Sequence, residues 1–322
     1  MGLYTDHRPK HFAMPFGMAS SMADLILLSM APGFAAILFA VAFVGVGSLV
    51  FHPEASRIAR MASGGRHGLA QSLFSVGGNA GTAMGPLLAA FIVLPKRQRS
   101  IAWFSLAAML AMVLLLRVSV WYNAPSAAGG GSRPRRASAP ATGRRVGWTM
   151  AILIALLFSK YFYLASLTNS FTFFLMGKFR VSVENAQLHL FAFLAAVAVG
   201  AFADGPMGGP IGRKYVIWGS ILGVLPFALM LPYANLFWTG VLCVIVALVL
   251  ASAFSAILVY AQDLVPGRVG TISGIFFGLA FGLGGIGAGV LGKVADWTSI
   301  EFVYRLCAFL PKIHPAEARS LD

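Results

Sequence analysis

Charge is what this 322-residue chain has least of: Asp, Glu, Lys and Arg make up 11% of it, and ten residues are acidic. A soluble domain carries roughly 25% charged residues, so a water-facing globule is excluded. Cysteine is almost absent as well. Cys243 and Cys307 both sit inside apolar runs, which excludes a disulfide scaffold and leaves them as small core residues. No HExxH, no P-loop and no loop-borne Ser/His/Asp set occurs. No enzyme activity, no cofactor and no metal site is therefore expected. The longest polar segment is too short for an ATPase domain, which excludes a nucleotide-driven pump.

What the chain has instead is apolar sequence, 58% of all residues, arranged in runs of the roughly 20 residues that cross a bilayer. The runs are continuous rather than alternating, so a β-barrel is excluded. The expected fold class is an all-α membrane protein. Nine full spans are expected, near 12–30, 34–52, 68–94, 101–122, 147–176, 183–204, 215–233, 236–262 and 269–294, with a tenth run at 299–310 too short to cross. One stretch, 123–146, is rich in Gly, Pro, Ser and Arg and cannot bury a core. It reads as a cytoplasmic linker between an incomplete N-terminal half of four spans (1–122) and a C-terminal half of five and a part (147–310). A tail, 311–322, follows.

The net charge of +14 comes from basic residues between the apolar runs. They report orientation in the lipid bilayer, not a nucleic-acid partner. Arg8, Lys10, Arg57, Arg60, Arg66, Arg133, Arg135, Arg136, Arg144, Arg145, Arg213, Lys214 and Arg268 fall in one set of alternate loops. Lys96, Arg97, Arg99, Lys178, Arg180 and Lys293 fall in the other. The richer set marks the cytoplasmic face.

Two landmarks recur at nearly one offset. Gly2 to Lys10 precedes one span, and Gly205 to Lys214 precedes another, 203 residues later (205 − 2). Arg66-x-Gly68 opens a glycine-rich span, and Arg268-x-Gly270 opens another, 202 residues later (268 − 66). Such an offset implies two homologous halves with the same membrane orientation. Two spans precede the second landmark and none precedes the first, so the expected parent has twelve spans, of which two N-terminal ones and part of the last are not in this chain.

These residues carry a family pattern. Gly2-x-x-x-Asp6 with Arg8 and Lys10, and Gly205 with Arg213 and Lys214, resemble the loop signature of the major facilitator superfamily. Gly81-x-x-x-Gly85-Pro86 resembles the antiporter signature on that superfamily's fifth helix, with Ala89 and Ala90 replacing its final glycines. FHPEASRIARMASGGRHGLAQSLF, FSKYFYLAS and SAFSAILVYAQDLVPGR look like a bacterial drug-efflux branch. The second loop signature departs from the pattern at Gly209 and Pro210, where an acid and a base are expected. The resemblance implies a bundle of two six-helix halves in the bacterial inner membrane, monomeric, exporting a small-molecule drug such as the phosphonate fosmidomycin in exchange for protons by alternating access. The alternative is a non-transporting remnant of such an exporter.

Several polar residues within spans are candidates for that work. Lys160, flanked by Tyr161 and Tyr163, sits mid-span, where a charge is costly and faces a cavity or a partner. It suits a substrate anion, or else it is a structural lysine. Glu54, in His52-Pro53-Glu54 at the end of the second span, can carry a proton or pair with Arg57, Arg60 or Arg66. His189 can donate to substrate or be a wetted, hydrogen-bonded residue. Gln71 and Asn79, eight apart, share a helix face and either contact substrate or bond a neighbouring helix. Gly81 and Gly85, one turn apart before Pro86, suit close backbone packing or a hinge. Phe171, Phe173, Phe174 and Tyr260 suit packing or lipid contact. Asp24 and Arg117 are also intramembrane and are assigned no role.

Overall fold

The computed structural model describes residues 12–123, 143–207 and 212–307. Every regular element among these residues is helical. Among the described residues nine helices are long and apolar enough to cross a membrane, one for each expected span. The helices are α1 (Ala13–Met30), α2 (Phe34–Ala62), α3 (His67–Leu88), α4 (Phe104–Asn123), α5 (Gly143–Phe179), α6 (Val183–Met207), α7 (Arg213–Leu222), α8 (Val224–Met230), α9 (Leu236–Ala251), α10 (Phe254–Leu264), α11 (Val269–Trp297) and α12 (Ile300–Cys307).

Four boundaries differ from the sequence expectation, each for a local reason. The second span does not end at residue 52. α2 runs on through Pro53 to Ala62, so the basic segment read as a loop is mostly helix, and the turn is confined to 63–66. The third span keeps its course past Pro86, but a π-helical turn, Ala89–Val93, follows. A proline cannot donate to the helix ladder and crowds the preceding turn, and a single π turn absorbs that disturbance. The seventh span is interrupted at Gly223, three residues before Pro226. The eighth breaks at 252–253, between α9 and α10.

Contacts along the backbone gather the described residues into two compact units. One holds those of Met1–His67, Leu88–Arg136 and Val265–Phe277, hence α1, α2, α4 and the start of α11. Here α1 and α2 approach through glycine. A Cβ built at Gly47 would lie 2.5 Å from the Gly17 carbonyl oxygen, and one at Gly17 would lie 2.8 Å from that of Gly47. Small residues permit this separation between helices that share no hydrophobic driving force in lipid. Ser20 Oγ adds a hydrogen bond to the Phe43 carbonyl, 2.7 Å. The Gln98 amide caps the end of α1 by donating to the carbonyls of Leu28 (2.7 Å) and Ala31 (2.9 Å). Gly47→Ala is expected to cost about 1–3 kcal/mol by overpacking, read as a lower midpoint in a thermal size-exclusion assay in detergent. Gly45→Ala, where an added Cβ meets nothing within 4 Å, is the neutral control.

The second unit holds the described residues of Gly68–Leu87, Ala137–Leu264 and Gly278–Asp322. Its core is built on α5. Leu153, Leu156, Leu157, Tyr163, Leu167, Phe171 and Phe174 are all buried at the spacing of one helical face. Phe171 and Phe174 are thus core residues, whereas Phe173 is 63% exposed. Gly200 lets α6 lie directly on the carbonyl of Leu248 in α9. Lys178, at the end of α5, donates to the carbonyls of Pro232 (2.7 Å) and Ala234 (3.0 Å). Tyr304 of α12 stacks on Phe174 with ring centroids 4.1 Å apart. Cys243 and Cys307 are free and buried, as small core residues should be.

Candidate functional site

Lys160 is the centre of the polar chemistry in the second unit. It lies more than four turns into α5, on its buried face, with 8% of its surface exposed. Its Nζ donates to Ser220 Oγ of α7 at 2.8 Å, and that hydroxyl donates onward to the Ile217 carbonyl at 3.0 Å. Two cavities meet at its side chain. The smaller, about 10 Å³, is lined by Ser159, Lys160, Tyr163 and Ser220 among apolar neighbours. The larger, about 40 Å³, is lined by Lys160, Tyr161, Ser75 and Asn79, with Leu157, Leu164, Val197, Ala201, Leu250, Ala251, Phe254 and Ile257 as its apolar wall. Tyr161 is held edge-on against Phe254, centroids 5.3 Å apart.

The lining therefore contains one cation, neutral hydroxyls and an amide, and no carboxylate. In a low-dielectric surround such a lining is suited to an anion that carries a hydrocarbon part.

The structure brings Lys160, Tyr161 and Asn79 to one cavity and places Tyr163 at the other. Gln71 is buried, 2% exposed, two turns before Asn79 and outside both linings. His189 is elsewhere: its Nδ1 donates to the Asn185 carbonyl at 2.9 Å, and its ring lies against Gly240. Glu54, 1% exposed, is held in the first unit by both nitrogens of the Arg57 fork, Nη2 at 2.5 Å and Nε at 3.2 Å. Asp24 is also buried there, and its Oδ1 has no hydrogen-bond partner among the described residues. Gly81 and Gly85 make no close backbone approach. A Cβ built at either meets nothing within 4 Å, which corrects the close-packing expectation for this pair.

Gly2 and Asp6 lie outside the described residues. Gly205 falls in the last turn of α6, Arg213 and Lys214 open α7, and the side chains of those two are likewise outside the description. Two cavity residues, Ser75 and Ser220, are not among the sequence candidates. Ser75 is legible in the sequence, being one helical turn before Asn79 on the same face. Ser220 is not, because nothing local pairs it with a lysine 60 residues away.

A model of the Major Facilitator Superfamily matches residues 1–289. The chain belongs to this superfamily. It is 58% identical over 311 residues to the fosmidomycin resistance protein of Escherichia coli (strain K12), covering 97% of this chain and 77% of that protein. It is 41% identical over 314 residues to YfnC of Bacillus subtilis (strain 168), an uncharacterised transporter of the same superfamily, with the same two coverages. Among solved structures, the human organic anion transporter MFSD10 matches all of this chain and 79% of its own, with a TM-score of 0.75 at 17% identity. The transporter FucP in its outward conformation matches 99% of this chain and 84% of its own, with a TM-score of 0.64 at 14% identity. At those identities the structures support the fold alone, the all-helical fold of this superfamily.

Proposed function

We propose that this transporter exports small organic anions, fosmidomycin among them, across the bacterial inner membrane in exchange for protons, working as a monomer. The carrying observation is Lys160, a buried cation shared by two cavities that hold no acidic side chain. A phosphonate head on Lys160, with Tyr161 and Asn79 at its flanks and the apolar wall against its carbon chain, is the arrangement this lining favours. The 58% identity to a fosmidomycin resistance protein supports the choice of drug. Alternating access is its mode of transport, with 1–122 and 147–310 as the two halves that move. Glu54 is the proton-coupling candidate, since protonation of its carboxylate would release the Arg57 fork.

Expression in a fosmidomycin-sensitive strain tests the reading. The chain is expected to raise survival well above an empty vector, and to drive fosmidomycin efflux from loaded cells until a protonophore is added. Survival at the empty-vector level, with the protein present in the membrane, overturns it. One observation favours the second reading, a chain that inserts without transporting. The span Gln98–Trp121 buries few side chains, Ser100, Ala108 and Ser119, and His67–Lys96 is largely exposed, whereas most of Leu236–Leu264 is packed inside. The same assay separates the two.

A further inference from the structure

The turn between the third and fourth spans carries charge where the topology opposes it. Lys96, Arg97 and Arg99 stand together in the set of loops with fewer basic residues. Cations on that side work against the orientation that the other loops set, so orientation does not account for them. All three side chains are exposed, and none has an ion-pair partner among the described residues. The described acids of this unit are Asp24, buried on α1, and Glu54, taken by Arg57.

The turn is also firmly fastened. Gln98 ties it to the end of α1 through the carbonyls of Leu28 and Ala31. The Arg97 carbonyl accepts from both the N–H (3.1 Å) and the Oγ (2.7 Å) of Ser100. Arg97 itself is held at φ 67° and ψ 172°, a region essentially reserved for glycine. A long cationic side chain thus stands where glycine would relieve the strain. Bordering the turn are the exposed apolar side chains of Met30, Phe34, Leu94 and Trp103, and tryptophan favours the headgroup level of a bilayer. Fixed cations beside an apolar collar match the two ends of an anionic phospholipid, phosphate against the charges and acyl chains along the collar.

From this we infer that Lys96, Arg97 and Arg99 form a docking site for an anionic phospholipid of the outer leaflet. The inference rests on the orientation given by the basic loops and is independent of the exported cargo.

Purified protein in detergent is titrated with phosphatidylglycerol or phosphatidylcholine, and binding is read by native mass spectrometry and thermal unfolding. Phosphatidylglycerol is expected to bind in preference and to raise the unfolding midpoint. Lys96→Gln/Arg97→Gln/Arg99→Gln should lose at least tenfold in affinity for it, since each cation near a lipid phosphate is worth roughly fivefold. Arg97→Gly separates the site from its scaffold. It should raise the midpoint in lipid-free detergent yet bind phosphatidylglycerol about fivefold more weakly. Arg180→Gln/Lys293→Gln, which removes two cations from other loops of the same set, should bind as the unsubstituted protein does. Undiminished binding by the triple variant overturns the site, and so does an equal loss in the Arg180/Lys293 variant. Displacement of the lipid by excess inorganic phosphate would make the occupant a free anion and overturn it too. In spheroplasts, an impermeant maleimide should label Arg99→Cys but not the unsubstituted protein, whose Cys243 and Cys307 are buried. Failure to label Arg99→Cys overturns the outer leaflet as the place.

Discussion

Replacing Lys160 by methionine is expected to lower fosmidomycin protection to the level of an empty vector while the protein remains at normal amounts in the membrane. The two effects separate because the lysine is costly to the fold and valuable only to a charged ligand. Removing a buried cation for an apolar chain of similar length relieves desolvation, so stability should hold or rise. A charge-assisted hydrogen bond to an anionic head is worth roughly 1.5–3 kcal/mol, or about 10- to 150-fold in apparent affinity. Lys160→Arg should recover little of this, because a planar guanidinium does not fit the space of an ammonium held by Ser220. Uptake of labelled fosmidomycin into inside-out vesicles measures it. Unchanged transport by Lys160→Met would remove the anion-site role.

The Glu54–Arg57 pair should give the second large effect, of opposite character. Glu54 is almost fully buried, and both of its oxygens accept from the same guanidinium. Removing one partner from a buried pair strands the other, at a cost of roughly 3–5 kcal/mol. Arg57→Leu is therefore expected to deplete folded protein strongly, and Glu54→Leu/Arg57→Leu to recover most of it. Glu54→Gln keeps the shape and one acceptor, so it should fold. If Glu54 carries the proton, this variant loses uphill efflux yet still exchanges labelled for unlabelled drug. If it retains full uphill efflux, the proton role lies elsewhere.

Much of this architecture can be read from residues alone, because a bilayer leaves few options for a long apolar run. All nine spans are such cases. Boundaries were less legible where proline stood: Pro53 did not end its helix and Pro86 produced a π turn, outcomes decided by packing that composition does not encode. The site was half legible. A lysine in mid-span declares itself by cost, which makes Lys160 legible as a buried cation, and the helix face shared with Gln71 draws attention to Asn79. Its hydroxyl partner was hidden, since Ser220 looks like any serine in an apolar run until α7 is laid beside α5. The glycines of α3 misled in a different way. Spacing alone suggested intimate contact, whereas the pair that makes such contact, Gly17 and Gly47, lies 30 residues apart on separate helices (47 − 17).

The π turn at Ala89–Val93 has a consequence for how side chains are aimed. It inserts one residue into the winding, which rotates everything after it by about 100° relative to an uninterrupted α-helix. The stripe that carries Gln71, Ser75 and Asn79 therefore cannot be extrapolated to the residues beyond Val93. Deleting one residue from this turn would restore the ladder and swing the outer end, with Lys96 and Arg97, round the axis by that angle. The inner wall of the cavity would stay where it is. One helix thus carries two independently set azimuths, an inner one aimed at Lys160 and an outer one free to be tuned by a single codon.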